Sequence, residues 1–305
     1  MLVVAACSPS ESEGSSTSST PTTSPVTTST SKPATTSTTA TTIATPTTTT
    51  VAVATTLAEG DWADLPLVTT DFGALGWWDG AGWVDSESEG ALPVAGGEDY
   101  QTIVLDSVGS TTGGPQRLVC EPLQLLGVVL DDPTLLGEFP GPYGVAVSAP
   151  WDLQPHLFMV TDDDGTYADQ ASALLAERGL EVPSPVVTQV IRTDLEGDGV
   201  EEALVVAQEL TPGLVLEPGD YSIAFMRKLI EGEVQTAVLG ETIVENEADQ
   251  FGAAHTFGTV ADLNGDATME IVLDEAFFEG FAVTVWEYRD DDLGPLVALQ
   301  RGCGS

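Results

Sequence analysis

The sequence predicts a mainly β protein of antiparallel four-stranded units with one helix. It leaves open an α+β fold built on a partly open antiparallel sheet. Three observations point there. From Val186 onward, short apolar runs of strand length alternate with turn signals. The order strand, acidic loop, strand, hairpin occurs twice in that stretch. Helical spacing of apolar residues is confined to a single segment, 166–179.

The chain opens Met1-Leu2-Val3-Val4-Ala5-Ala6-Cys7. The tetrad Val4-Ala5-Ala6-Cys7 resembles a bacterial lipobox, in which small side chains admit the signal peptidase and the cysteine thiol takes a diacylglycerol. That resemblance implies lipidation at Cys7 and a place outside the cytoplasm, on the bacterial cell membrane. A full signal peptide has a basic start and a longer apolar stretch. Residues 1–7 therefore read as a truncated leader, and the true start codon is expected upstream. Six apolar residues are too few to cross a bilayer, which takes roughly 20.

Residues 8–58 read as a disordered Ser/Thr/Pro linker. Within 8–56, 31 of 49 residues are Ser or Thr, and the aliphatic residues beyond Ala are Val26, Ile43, Val51 and Val53. Such a stretch buries too little apolar surface to offset its ordering entropy. As a flexible coil its ends would average ~40 Å apart, and dense Thr and Ser suit O-glycosylation.

The remaining 249 or so residues suffice for a hydrophobic core. They hold 46 acids against 7 bases, a net −39. A body this negative repels phosphate backbones, so nucleic acid is excluded as a partner. Its self-repulsion calls for cations or salt. Of three cysteines, Cys7 is the expected lipid site, and Cys120 and Cys303 are expected to form a disulfide in an oxidising compartment, the alternative being two unpaired, buried thiols.

Region 59–165 is β-rich and irregular, with short runs at Gln101–Leu105 and Tyr143–Val147. Its Gly76–Trp83 stretch carries three tryptophans, read as indoles packed under a glycine-rich turn or, alternatively, as a platform for sugar rings. Region 166–305 holds the helix and the two β units. Thr166 is expected to cap the helix, with Asp169 in its first turn and Gly179 at its end. Tyr167, Ala171, Leu174 and Leu175 share its apolar face. The preceding Asp162-Asp163-Asp164-Gly165 reads as a turn leading to the cap.

The first unit is expected at Val186–Asp194, Ala203–Glu209, Tyr221–Ile230 and Glu233–Glu241. The second is expected at Thr256–Asp262, Ile271–Phe278, Phe281–Arg289 and Leu296–Gln300. Their acidic loops begin 68 residues apart, at Asp194 and Asp262. Both set oxygen side chains at positions 1, 3, 5 and 9: Asp194, Glu196, Asp198 and Glu202, then Asp262, Asn264, Asp266 and Glu270. The carbonyls of Val200 and Thr268 add a donor at position 7. Hard cations such as Ca²⁺ take six to eight oxygens from such a turn. An EF-hand is excluded, because position 12 is Val205 or Leu273 rather than a bidentate Glu.

This spacing resembles the FG-GAP and VCBS-type repeats of integrin-like β-propellers, over Val190–Val206 and Val260–Leu273 and, with the later hairpins, 186–301. The resemblance implies propeller-blade-like units and structural Ca²⁺. Two units cannot close a propeller, so the N-terminal strands must cover an edge. Glu196 and Ala267 depart from the pattern, which expects a shorter acid or amide and a Gly at those places, and Ala267 makes the second loop the weaker expected site or a hydrogen-bonded turn.

His156 and His255 sit in apolar neighbourhoods and read as packed or turn histidines. No nucleophile elbow, zinc-ligand helix or phosphate-cradling loop is present. The expected role is non-enzymatic: a lipid-anchored, calcium-stabilised module at the cell envelope, binding an envelope protein or glycan. The alternative is a cell-wall polysaccharide hydrolase with an Asp/Glu pair near Trp77–Trp83.

Overall fold

The computed structural model describes residues 65–304 apart from 69–71, 87–91, 93–95, 122, 139–140, 154–156, 160–164, 213–214, 247–250 and 289–294. Cys7, the Ser/Thr stalk, His156 and the Asp162–Asp164 run lie outside the described residues. The fold is mainly β and antiparallel, with one α-helix among the described residues.

Strands β1 (Leu65–Val68), β2 (Ala74–Trp78), β3 (Trp83–Asp85), β4 (Asp99–Val104), β5 (Ser107–Val119), β6 (Leu125–Leu130) and β7 (Val145–Val147) form a seven-stranded sheet in the order β3-β2-β1-β7-β4-β5-β6. A second sheet joins β8 (Leu157–Met159), β9 (Val187–Thr193), β10 (Glu202–Glu209), β11 (Tyr221–Ile230) and β12 (Glu233–Ile243), with α1 (Thr166–Glu177) between β8 and β9 in sequence. The third is a meander of β13 (Ala253–Ala261), β14 (Glu270–Phe277), β15 (Gly280–Glu287) and β16 (Leu296–Gly304). The expected first unit thus gains a fifth strand, because β8 pairs with the outer edge of β9. Pairing there satisfies backbone groups that an edge strand would leave bare.

Period-2 alternation sets the layers. On β10, Ala203, Val205 and Ala207 face Ala171, Leu174 and Leu175 of the helix, while Leu204 and Val206 face Phe257, Val260, Ile271 and Leu273 of the third sheet. On β14 the opposite face carries Val272, which packs with Leu75, Ile103 and Val145 of the seven-stranded sheet. Helix, second sheet, third sheet and first sheet therefore follow one another, each pair sharing a core. Strands buried on both faces read as near-continuous apolar runs, as in Ala203–Ala207.

The edge of β13 is closed by side chains and by a neighbouring loop. Gln189 donates its Nε2 to the Phe257 carbonyl at 2.9 Å and accepts the Phe257 N–H at 2.8 Å. Leu105 donates its N–H to the Gly258 carbonyl at 2.6 Å, and its own carbonyl takes the Thr259 hydroxyl at 2.8 Å.

The helix starts where the periodicity begins, but its cap is not the expected one. Gly165, in the left-handed region at φ 92°, occupies the N-cap, and no side chain makes a capping bond. At the other end Gly179, at φ 90°, lets the chain reverse. The Gly179 N–H bonds the Ala176 carbonyl and the Leu180 N–H the Leu175 carbonyl, the paired bonds of a Schellman turn. Cys120 and Cys303 are disulfide-bonded with Cα atoms 5.8 Å apart, tying the end of β5 to the last strand.

Candidate metal centre

Each acidic loop links the first two strands of its sheet's meander, and each turns by placing residues in the left-handed region. Gly197 and Gly199 have φ of 72° and 87°; Gly265 and Ala267 have 83° and 71°. Ala267 accepts this geometry with a Cβ, at a cost of roughly 1 kcal/mol. The apolar residue at position 2 is driven inward: Leu195 and Leu263 are buried.

The polar side chains then organise the turn. In the second loop Asp262 accepts the N–H groups of Gly265 and Ala267, at 2.6 and 3.0 Å. Asn264 accepts from Asp266 at 2.9 Å, and Asp266 from Thr268 at 2.8 Å. Glu270 reaches back to the Leu263 N–H at 2.7 Å. The first loop repeats the plan. Asp194 accepts from Asp198 and Gly199 at 3.0 and 2.8 Å, Asp198 from Val200 at 2.7 Å, and Glu202 from Leu195 at 3.0 Å. The loops also touch, through the Met269 N–H and the Leu195 carbonyl at 2.9 Å. Trp151 roofs the second loop: its indole N–H donates to the Asp262 carbonyl at 2.7 Å, and its ring lies against Gly265.

Position 3 separates the two. Asn264 stays within its loop, donating to Asp266 at 3.1 Å. Glu196 turns out of its loop to Lys228, whose Nζ stands 2.6 Å from Oε1, and Tyr288 donates its hydroxyl to the same oxygen at 2.8 Å.

The electrostatics differ accordingly. Burial pushes Glu270 well above the usual carboxylate range, and the charges of Asp266, Asp262 and Glu287 add to the rise. Asp262 is raised by burial and by Asp266, against the amide bonds it accepts. Glu202 is likewise raised by burial, but Lys228 works against the shift. The second loop thus concentrates negative charge without a base beside it among the groups that shift these two acids.

The donor chemistry of Asp262, Asn264, Asp266, Glu270 and the Thr268 carbonyl is all oxygen, the set a hard cation uses. Each carboxylate oxygen in a backbone bond keeps a further lone pair. Among the described residues no three His, Cys, Asp or Glu side chains are grouped as ligands of one ion, Asp262, Asp266 and Glu270 included.

Elsewhere, Trp77 is buried in the core and Trp78 meets Trp83 edge-on at 5.4 Å. The acids of that hairpin are engaged locally: Asp79 accepts the Ala81 and Gly82 N–H groups, and Asp85 pairs with Arg301 at 3.1 Å. His255 is buried, with Nδ1 3.0 Å from the Ser222 hydroxyl. Burial lowers its pKa to about 4, against the opposing influence of Glu241 and Ser222.

Lys228, Tyr288, Glu287 and Trp151 were not singled out by sequence reasoning. The one available signal was Lys228 itself, the only lysine after the stalk, set beside Arg227 in a strand that is otherwise mostly apolar. Compared with known protein families, with curated proteins and with solved structures, the chain matches none.

Proposed function

We propose that this chain is a lipid-anchored, calcium-stabilised β module of the bacterial cell envelope, with a binding or structural role rather than a catalytic one. The observation that carries this reading is the second acidic loop. Four oxygen side chains belong to one short turn, the last of them the buried Glu270 that accepts the Leu263 N–H, and further negative charge flanks it. Asp262, Asn264, Asp266, Glu270 and the Thr268 carbonyl would hold the ion. It would neutralise that charge and tie β13 to β14. The likeness to FG-GAP and VCBS-type loops supports the same ion.

Anchorage through Cys7 rests on the lipobox-like tetrad and the Ser/Thr stalk behind it. A disulfide between Cys120 and Cys303 suits an extracytoplasmic compartment. The envelope partner would be a protein or glycan compatible with a strongly acidic surface. Of the two functional readings, the hydrolase draws no support from the Trp77–Trp83 hairpin, where Asp79 and Asp85 serve the turn and Arg301.

The test is thermal. At tenfold excess over its dissociation constant, one ion adds about 1.4 kcal/mol. For a body of this size that raises the melting temperature by about 3–5 °C. Chelation should remove the increment, and Asp262→Asn with Asp266→Asn should remove the response to chelator. A melting curve indifferent to both calcium and chelator would falsify the reading.

A further inference from the structure

The two loops share one plan but face opposite charges across their sheets. The register Ala203↔Arg227 sets Glu202 opposite Lys228 on β10 and β11. The register Ile271↔Trp286 sets Glu270 opposite Glu287 on β14 and β15. The same site in the strand pair therefore carries a lysine in one unit and a glutamate in the other.

The lysine is built in. Its side chain is 7% exposed and that of Glu196 13%. Its Nζ lies 4.4 Å above the Tyr288 ring centre, while the Tyr288 hydroxyl binds the same Glu196 oxygen that the ammonium does. Lysine, glutamate and tyrosine thus form a buried cluster, in which a cation contacts both a carboxylate and an aromatic face. Tyr288 belongs to the third sheet's segment and Lys228 to the second, so the cluster also bridges two sheets.

We propose that the Lys228 ammonium is the resident cation of the first loop, so that Asp194–Glu202 takes no divalent ion and ion binding is confined to the second loop. The inference rests on the calcium reading of the second loop and divides the two loops between an internal and an external cation. Glu196, the oxygen donor at position 3 of the pattern, is drawn away from its loop by the lysine. A divalent ion entering there would have to displace the ammonium from Glu196 and would meet its charge across from Glu202. Opposite Glu270 the strand register places an acid, Glu287, where the first unit has Lys228.

Calcium titration calorimetry on the full chain, with the melting temperature followed in parallel, decides the matter. The wild type should bind a single ion, and Asp194→Asn with Asp198→Asn should leave that binding unchanged. Lys228→Met should gain a second binding event, and Lys228→Arg should not. If Lys228→Met is unfolded without ions, millimolar calcium should restore its fold. Loss of binding in the Asp194/Asp198 variant overturns the inference while leaving the calcium reading intact. So does a Lys228→Met protein that gains no site or, being unfolded, is not rescued. Absence of calcium binding in the wild type refutes the function proposed for the second loop, whereas a site gained by Lys228→Met would still uphold the role of the lysine.

Discussion

Removing the Cys120–Cys303 bond, by Cys120→Ser with Cys303→Ser, should be among the most costly changes available to this fold. The two residues are 183 positions apart. On the chain-entropy relation, closing a loop of that length removes about 5 kcal/mol of freedom from the unfolded chain. Both cysteines also pack against the core shared by the first and third sheets. With a urea slope of about 3 kcal/mol per molar for a domain this large, the unfolding midpoint should fall by roughly 1.5–2 M. Equilibrium urea denaturation of the variant, and of the wild type with and without dithiothreitol, measures it. Reduced wild type and variant should coincide. A midpoint that stays within about 0.3 M of the oxidised protein in both would refute the argument, since it would mean that the unfolded ensemble is not constrained by the cross-link.

Gly258→Ala should destabilise by about 3 kcal/mol in urea titration, because its Cβ would lie 2.0 Å from the Tyr143 carbonyl oxygen and 2.8 Å from Asp274 Oδ2. A neutral result would show that β13 and the Tyr143 segment move apart freely. Burial holds Asp274 and Glu270 well above the usual carboxylate range. Their folded pKa exceeds the unfolded value, so the stability they contribute is complete below about pH 4 and is lost as pH rises through the folded pKa. In chelator, Asp274→Asn should therefore flatten the fall of melting temperature with rising pH, the amide oxygen still accepting the Tyr143 N–H that Oδ2 accepts at 2.8 Å. An unchanged slope would contradict the assignment. His255 has the opposite sign: depressed to about 4, its contribution is present above about pH 6.5 and lost as pH falls through the folded value. Proton NMR of its ring should give a midpoint near 4, and titration near 6.5 would show an open site.

Much of this architecture was legible in the chain. Alternation and turn residues are local signals, so β11 and β12 begin where the sequence reading put them, at Tyr221 and Glu233. The helix stops at Glu177 because Gly179, which lacks a Cβ to oppose it, takes the left-handed turn just beyond. Its start was less legible, since a glycine cap makes no side-chain bond and leaves no polar signature, whereas Thr166 mimicked one. Strand β8 was missed because three residues, Leu157–Met159, are too short to show a period.

The sequence alone determined the strand order of the two units and the spacing of oxygen donors in both loops, because each depends on residues only a few positions apart. Tertiary structure alone decided which charge faces each loop. Strand register carries Lys228 to Glu196 across 32 positions, and the packing of the third sheet on the second brings Tyr288 to the same oxygen across 92. Coulomb energy depends on distance in space, and no local pattern along the chain records that distance.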